Sequence, residues 1–226
     1  TVWDQSMRAN FVRRFMRGAA RMPMVTLFPS EDVLGNSSLA RYLSLAARAF
    51  GTPGSGSFMG PDGLDVDGVC QALQDDVTRA QPIALLGASY SFVHLMDALA
   101  ERGLRFALPE GSRLLDTGGY KRQARELPLD EFYDSLAAAL GVPRARCINM
   151  YGMTELSTQF YDAGNAAVPS VKTGPHWIRS RLVDPLTGRD VPRGERGILV
   201  HCDLASVNSA TPVHTEDVGV AAGDGA

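Results

Sequence analysis

The segment Tyr151-Gly152-Met153-Thr154-Glu155 puts an aromatic ring, a glycine, a hydroxyl and a carboxylate directly after the apolar run Cys147 to Met150. If that run is a strand of a parallel sheet, its carboxyl end is where such sheets bind ligands. Tyr151 then offers a flat face for a nucleobase and Gly152 allows a sharp turn. Thr154 can donate to a phosphate oxygen, and Glu155 supplies a hard oxygen ligand for Mg2+. The same residues would also make a plain helix N-terminus, with Thr154 as cap and Glu155 complementing the dipole. Local spacing alone favours the plain alternative.

A second segment, Gly87-Ala88-Ser89-Tyr90-Ser91, lies between the strand-like run Pro82 to Leu86 and the helical stretch Phe92 to Arg102. That is the setting of a nucleophile elbow, in which Ser89 would attack with His201 or His214 as base. The fifth position is Ser91 where that motif has glycine, and no oxyanion-loop motif precedes it, so a serine hydrolase is the weaker expectation. Gly51 to Ser57 tempts as a phosphate loop, but no lysine follows it and a surface loop is the better reading. Cys70, Cys147 and Cys202 are widely spaced and the four histidines scattered, which argues against zinc and for reduced thiols in a cytoplasmic protein.

These segments need elements to hold them. Apolar residues at Met7, Phe11, Phe15 and Ala19 predict a helix over Met7 to Arg21. Further helices are predicted over Leu39 to Phe50, Val66 to Ala80, Phe92 to Arg102 and Leu129 to Leu140. Asn36 to Ser38 and Asp65 or Asp67 are available as caps, with Gly103 and Gly141 as stops. Short apolar runs at Met24 to Phe28, Pro82 to Leu86, Ser112 to Leu115 and Cys147 to Met150 predict strands. Strands alternating with such helices imply an α/β fold, a mainly parallel sheet with helices on both faces. From Trp177 the helical pattern fades. Trp177 to Val183, Ile198 to Cys202 and Asp217 to Val220 read as strands of a smaller β-rich portion, so the expected division is 1–170 and 171–226.

The 226 residues are 45% hydrophobic and 21% charged, with a net charge of −3. Such a chain buries a substantial core and is not disordered. No basic run invites nucleic acid, and no apolar stretch is long enough to span a bilayer.

Asn149-Met150-Tyr151-Gly152-Met153-Thr154-Glu155 resembles the Asn-x-Tyr-Gly-x-Thr-Glu signature of the adenylate-forming superfamily, which includes acyl-CoA synthetases and peptide-synthetase adenylation domains. The resemblance implies that Asn149 lies near the adenine amine, that Tyr151 packs on the adenine, that Thr154 contacts the α-phosphate and that Glu155 binds Mg2+. Upstream, Leu115-Asp116-Thr117-Gly118-Gly119-Tyr120-Lys121 is similar to the family's strand and small-residue turn beside the adenine, where Gly118 and Gly119 let backbone approach a ring. Downstream, His214-Thr215-Glu216-Asp217-Val218-Gly219 is similar to its Thr-Gly-Asp element, which implies that Asp217 binds both ribose hydroxyls. The segment with Ser89 and Tyr90 would wall the acyl pocket.

Glu216 in place of glycine, and Gly118 to Lys121, resemble one branch, the bacterial acyl-protein synthetases of bioluminescence. The implied activity uses ATP and Mg2+ to convert a carboxylic acid, a fatty acid for this branch, into its acyl-AMP. Pyrophosphate leaves, and the acyl group passes to a thiol on a protein or on CoA. The family's phosphate loop and lysine-bearing C-terminal domain are not found in this sequence, so the chain alone is expected to fold without adenylating. The alternative within this resemblance is a nucleotide-binding module without catalysis.

Overall fold

In the computed structural model the described residues are 1–119, 123–207, 209 and 211–222. The chain opens with helix α1 (Val2–Phe11), which a five-residue π turn, Val12–Met16, prolongs before Arg17 adopts a left-handed conformation. The predicted helix from Met7 to Arg21 is therefore shifted towards the N-terminus. Its buried face, Met7, Phe11 and Phe15, is as the spacing implied. Arg17 and Gly18, both at positive φ, end it.

Strand β1 (Met24–Leu27) leads to helix α2 (Ser38–Phe50), whose N-cap Ser37 accepts from the Ala40 amide at 3.2 Å. The segment expected to be a loop, Gly51 to Ser57, carries β2 (Gly56–Ser57), and the hairpin of β3 (Met59–Gly60) and β4 (Gly63–Leu64) follows it. Its hydroxyls serve the sheet: Ser55 Oγ accepts from the Met24 amide and Ser57 Oγ donates to the Phe28 carbonyl. That use of the serines leaves it an edge strand and turn, not a phosphate cradle.

Helix α3 (Val66–Thr78), capped by Asp65, precedes β5 (Ala84–Ala88), α4 (Ser89–Glu101), β6 (Arg113–Thr117), α5 (Leu129–Leu140) and β7 (Cys147–Tyr151). A two-residue strand β8 (Phe160–Tyr161) follows. The sheet order is β2-β1-β5-β6-β7-β8, parallel except for β8. Alternation along these strands divides the interior in two. Met24, Ala84, Leu86, Leu115 and Ile148 face the core under α1 and α2, while Val25, Leu85, Leu114 and Cys147 face the core under α3, α4 and α5. Helices thus cover both faces.

Strands β9 (Ile178–Val183), β10 (Arg196–Asp203) and β11 (Val213–Val220) form a separate antiparallel sheet with β10 central. Among the described residues no helix is long and apolar enough to cross a membrane. All three cysteines are free thiols.

Candidate active site

The carboxyl ends of β5, β6 and β7 present Ser89, Gly118 and Tyr151 side by side. Register places Thr117 opposite Met150, so Gly118 falls level with Tyr151. Gly118 sits at φ 70°, a turn conformation that favours glycine. Tyr151 leans away from the strand ends, and its hydroxyl donates to Asp217 Oδ2 at 2.7 Å, which joins the parallel sheet to the middle of β11. Burial, and next the Asp217 carboxylate, push the Tyr151 phenol up, so it stays a donor. Asp217 is exposed, and its backbone amide donates to Thr215 Oγ1 at 3.1 Å.

No helix follows Tyr151. Residues 152–159 form a turn-rich loop with Gly152, Thr154 and Glu155 exposed, so the plain helix-cap alternative does not apply. The Thr154 and Ser38 hydroxyls lie 3.3 Å apart, which puts Thr154 at the start of α2. The loop is tied down from beneath by Asp203, at the end of β10. Its carboxylate accepts from the Ser157 amide at 2.9 Å, from the Thr158 hydroxyl at 2.8 Å and from the Ala205 amide at 3.0 Å. His201, 1% exposed, stands behind Tyr151, with Nδ1 2.8 Å from Ser180 Oγ and Nε2 3.5 Å from the Tyr151 hydroxyl. Burial pushes its pKa down against the pull of Asp217 and Asp203. A neutral ring that takes the Ser180 hydrogen on Nδ1 and points Nε2–H at Tyr151 satisfies every group in that line.

A cavity of about 220 Å3 opens beside the strand ends, lined by Ser89, Asp116, Gly118, Gly119, Asn149 and Lys172 among others. Its floor is a polar network centred on Asp116, 3% exposed. Asp116 accepts from Asn149 Nδ2 at 2.8 Å, Ser89 Oγ at 3.0 Å and the Tyr133 hydroxyl at 3.1 Å. Burial, with a smaller push from Asp162, raises its carboxyl to about 6 against these three donors. Asp162, whose side chain is fully enclosed, accepts from the Asn149 amide, Asn165, Ser170 and Lys172 Nζ.

Asn149, Gly118, Gly119 and Ser89 are therefore brought together in one cavity, and Tyr151 and Asp217 meet at its neighbouring strand end. Tyr90 is not with them: it packs against the core under α1 and α2, edge-on to His94. Adjacent residues at the start of a helix diverge by about 100°, so Ser89 lines this cavity and Tyr90 does not. Tyr120 lies outside the described residues. Ser89 is no elbow nucleophile. Its backbone is not at positive φ, its hydroxyl is committed to Asp116 and the Thr117 and Gly118 carbonyls, and no histidine among the described residues bonds to it.

For Mg2+ the available donor is the exposed Glu155 carboxylate, and the described residues contain no cluster of three metal-ligating side chains. One carboxylate suits a cation that arrives on nucleotide phosphates with most of its waters. Sequence reasoning missed Asp116, Asp162 and Asp203, and saw His201 only as a hydrolase base. An acidic residue inside an apolar strand, as in Leu114-Leu115-Asp116, was the available signal.

Solved structures share this fold. A luciferase-like enzyme from the nonluminescent Zophobas morio mealworm aligns with TM-score 0.65 at 14% identity, over 97% of this chain and 49% of that one. A 2-hydroxyisobutyryl-CoA ligase solved in complex with 2-HIB-AMP and CoA aligns with TM-score 0.62 at 17% identity, over 96% of this chain and 47% of that one. The fold is that of the adenylate-forming enzymes. The family described as acyl-protein synthetase, LuxE, matches residues 65–224, and the chain belongs to that family. A long-chain-fatty-acid–luciferin-component ligase of Vibrio harveyi is 24% identical over 203 residues, 88% of this chain and 52% of the relative. The chain thus spans about half the length of that relative.

Proposed function

We propose that this chain forms the nucleotide-binding part of an ATP-dependent ligase that activates a long-chain fatty acid as its acyl-AMP. The acyl group then passes to a thiol, on a protein or on CoA. The observation that carries this reading is the meeting of Tyr151 and Asp217 at 2.7 Å beside Gly118, from two different sheets and 66 residues apart. An aromatic face, a glycine turn and a carboxylate in that order suit a base and its ribose. Membership of the acyl-protein synthetase family and the ligase relative support the acid and the ATP. The division near residue 170 into an α/β part and a β-rich part belongs to the same proposal.

In the reaction, a carboxylate oxygen attacks the α-phosphorus in line, the bond to the bridging oxygen of the β-phosphate breaks, and pyrophosphate leaves with the electron pair. No proton has to move, so positioning and charge neutralisation carry the rate. Asn149, Gly118 and Gly119 hold the base with Tyr151 on its face. Asp217 Oδ2 already accepts from Tyr151, and its second oxygen is left for the ribose diol. Thr154 donates to an α-phosphoryl oxygen, and Glu155 holds Mg2+. When bound, that cation neutralises charge developing on the phosphates.

The test is ATP–pyrophosphate exchange by the full reading frame that contains this chain, with short, long and aryl carboxylates. Exchange should depend on a long-chain acid, and Glu155→Gln should raise the Mg2+ concentration needed for half-maximal rate. Bound ATP with no exchange for any acid would favour a non-catalytic module.

A further inference from the structure

Among the described residues, the loop 152–159 makes one backbone hydrogen bond within itself, from the Leu156 amide to the Met153 carbonyl at 3.2 Å. Its position is therefore set from outside. Leu156 packs with Phe160 and Ile178, and Asp203 holds the next two residues. Trp177 Nε1, which can only donate, gives its hydrogen to Thr158 Oγ1 at 2.9 Å, so the Thr158 hydrogen goes to Asp203 Oδ1 at 2.8 Å. Asp203 Oδ2 takes the Ser157 amide at 2.9 Å. The carboxylate cannot follow the loop. Its Oδ1 also accepts from the Ala205 amide two residues on, an Asx turn, and Asp203 ends β10, which is paired on one side with β9 and on the other with β11. Strand β11 carries Asp217.

We propose that Asp203 is a positioning residue: it fixes the loop with Thr154 and Glu155 to the sheet that carries Asp217, so that one nucleotide meets its ribose and α-phosphate contacts at once. The inference rests on the nucleotide reading of the site. Asp203 is 2% exposed and lies under the loop, whereas Thr154 and Glu155 are exposed. Strand β7 fixes the chain up to Tyr151, and Leu156 to Thr158 fix it again. Only residues 152–155 lie between these anchors, a span short enough to hold few conformations. Release of the second anchor frees Thr154 and Glu155 without touching Tyr151 or Asp217.

The test is hydrogen exchange of the 226-residue chain, read amide by amide by NMR, together with its calorimetric affinities for adenosine and AMP. The wild-type chain should protect the Ser157 amide and prefer AMP to adenosine by about tenfold, the gain expected of a charge-assisted hydrogen bond. Asp203→Asn sets an NH2 group against one of the donors. The orientation that loses fewer bonds sets it against the Ser157 amide, which releases the loop. Protection at Ser157 should fall while that of β5 holds, and the AMP preference should fall towards one with adenosine affinity unchanged. Removing a negative charge by itself favours a phosphate, so a lost preference reports geometry. Thr158→Val keeps the shape and removes one link. It should move both readouts the same way by less, and it decides the matter if Asp203→Asn does not fold. Gly141→Ala strains the chain at the far end of α5 and should leave the preference intact. An AMP preference that survives loss of Ser157 protection, protection unchanged in the variants, or no AMP preference in the wild-type chain overturns the inference and leaves the nucleotide site standing. Failure of the wild-type chain to bind either compound overturns both.

Discussion

Asp116 is a carboxylate enclosed among Ser89, Asn149 and Tyr133, with Asp162 and the Cys147 thiol on the same side of the sheet. Burial raises its carboxyl to about 6, whereas in the unfolded chain it titrates near its ordinary value of 3.8. Between those two values the folded protein keeps a proton that the unfolded chain has released. Stability therefore falls as pH rises through this window, by about 3 kcal/mol on this group alone. Asp116→Asn lacks the titration. Urea denaturation of both proteins from pH 4.5 to 7 should show the variant gaining on the wild type as pH rises. A pH-independent gap would mean that the three donors outweigh burial.

At the scale of elements, helix α5 was legible to the residue, because Gly141 ends a clean apolar period. Helix α1 was displaced, since the left-handed Arg17 that stops it carries no signal in its residue type and the apolar spacing ran on past Gly18. The two-residue strands β2 and β8 have no alternation to read and exist only because a neighbouring strand offers hydrogen bonds. The site divides in the same way. Tyr151, Asn149 and Asp217 stand in motifs, but the pairing of Asn149 with Asp116 across 33 residues is a matter of sheet register. The turn into α4 sends Ser89 to the cavity and Tyr90 towards the core under α1 and α2, a divergence that their adjacency in the sequence does not show. Gly141 also yields a test. It caps α5 at φ 70°, and a β-carbon there would come within 2.9 Å of Ala107 Cα. Gly141→Ala should cost about 2 kcal/mol, for the left-handed backbone and the contact together, which in a domain of this size lowers the melting temperature by about 4–8 °C. An unchanged melting temperature would show that the loop before β6 gives way freely.

On the scale of the whole molecule, the candidate site lies between a parallel sheet and an antiparallel one, and the Tyr151–Asp217 hydrogen bond crosses from the first to the second. Asp203 and His201 on β10 support the same junction from beneath. A ligand with a base, a ribose and an acyl phosphate would reach both sheets at once. The most direct measurement is binding of an acyl-sulfamoyl adenosine, a stable mimic of acyl-AMP, to this chain by calorimetry. A long-chain acyl analogue should bind, and Asp217→Ala should weaken it at least about tenfold, the loss expected for a charged hydrogen-bond partner. The melting temperature of the free chain should hardly move, because Asp217 is exposed. Equal affinity of the wild-type chain and Asp217→Ala, or no binding of the analogue at all, would contradict the account.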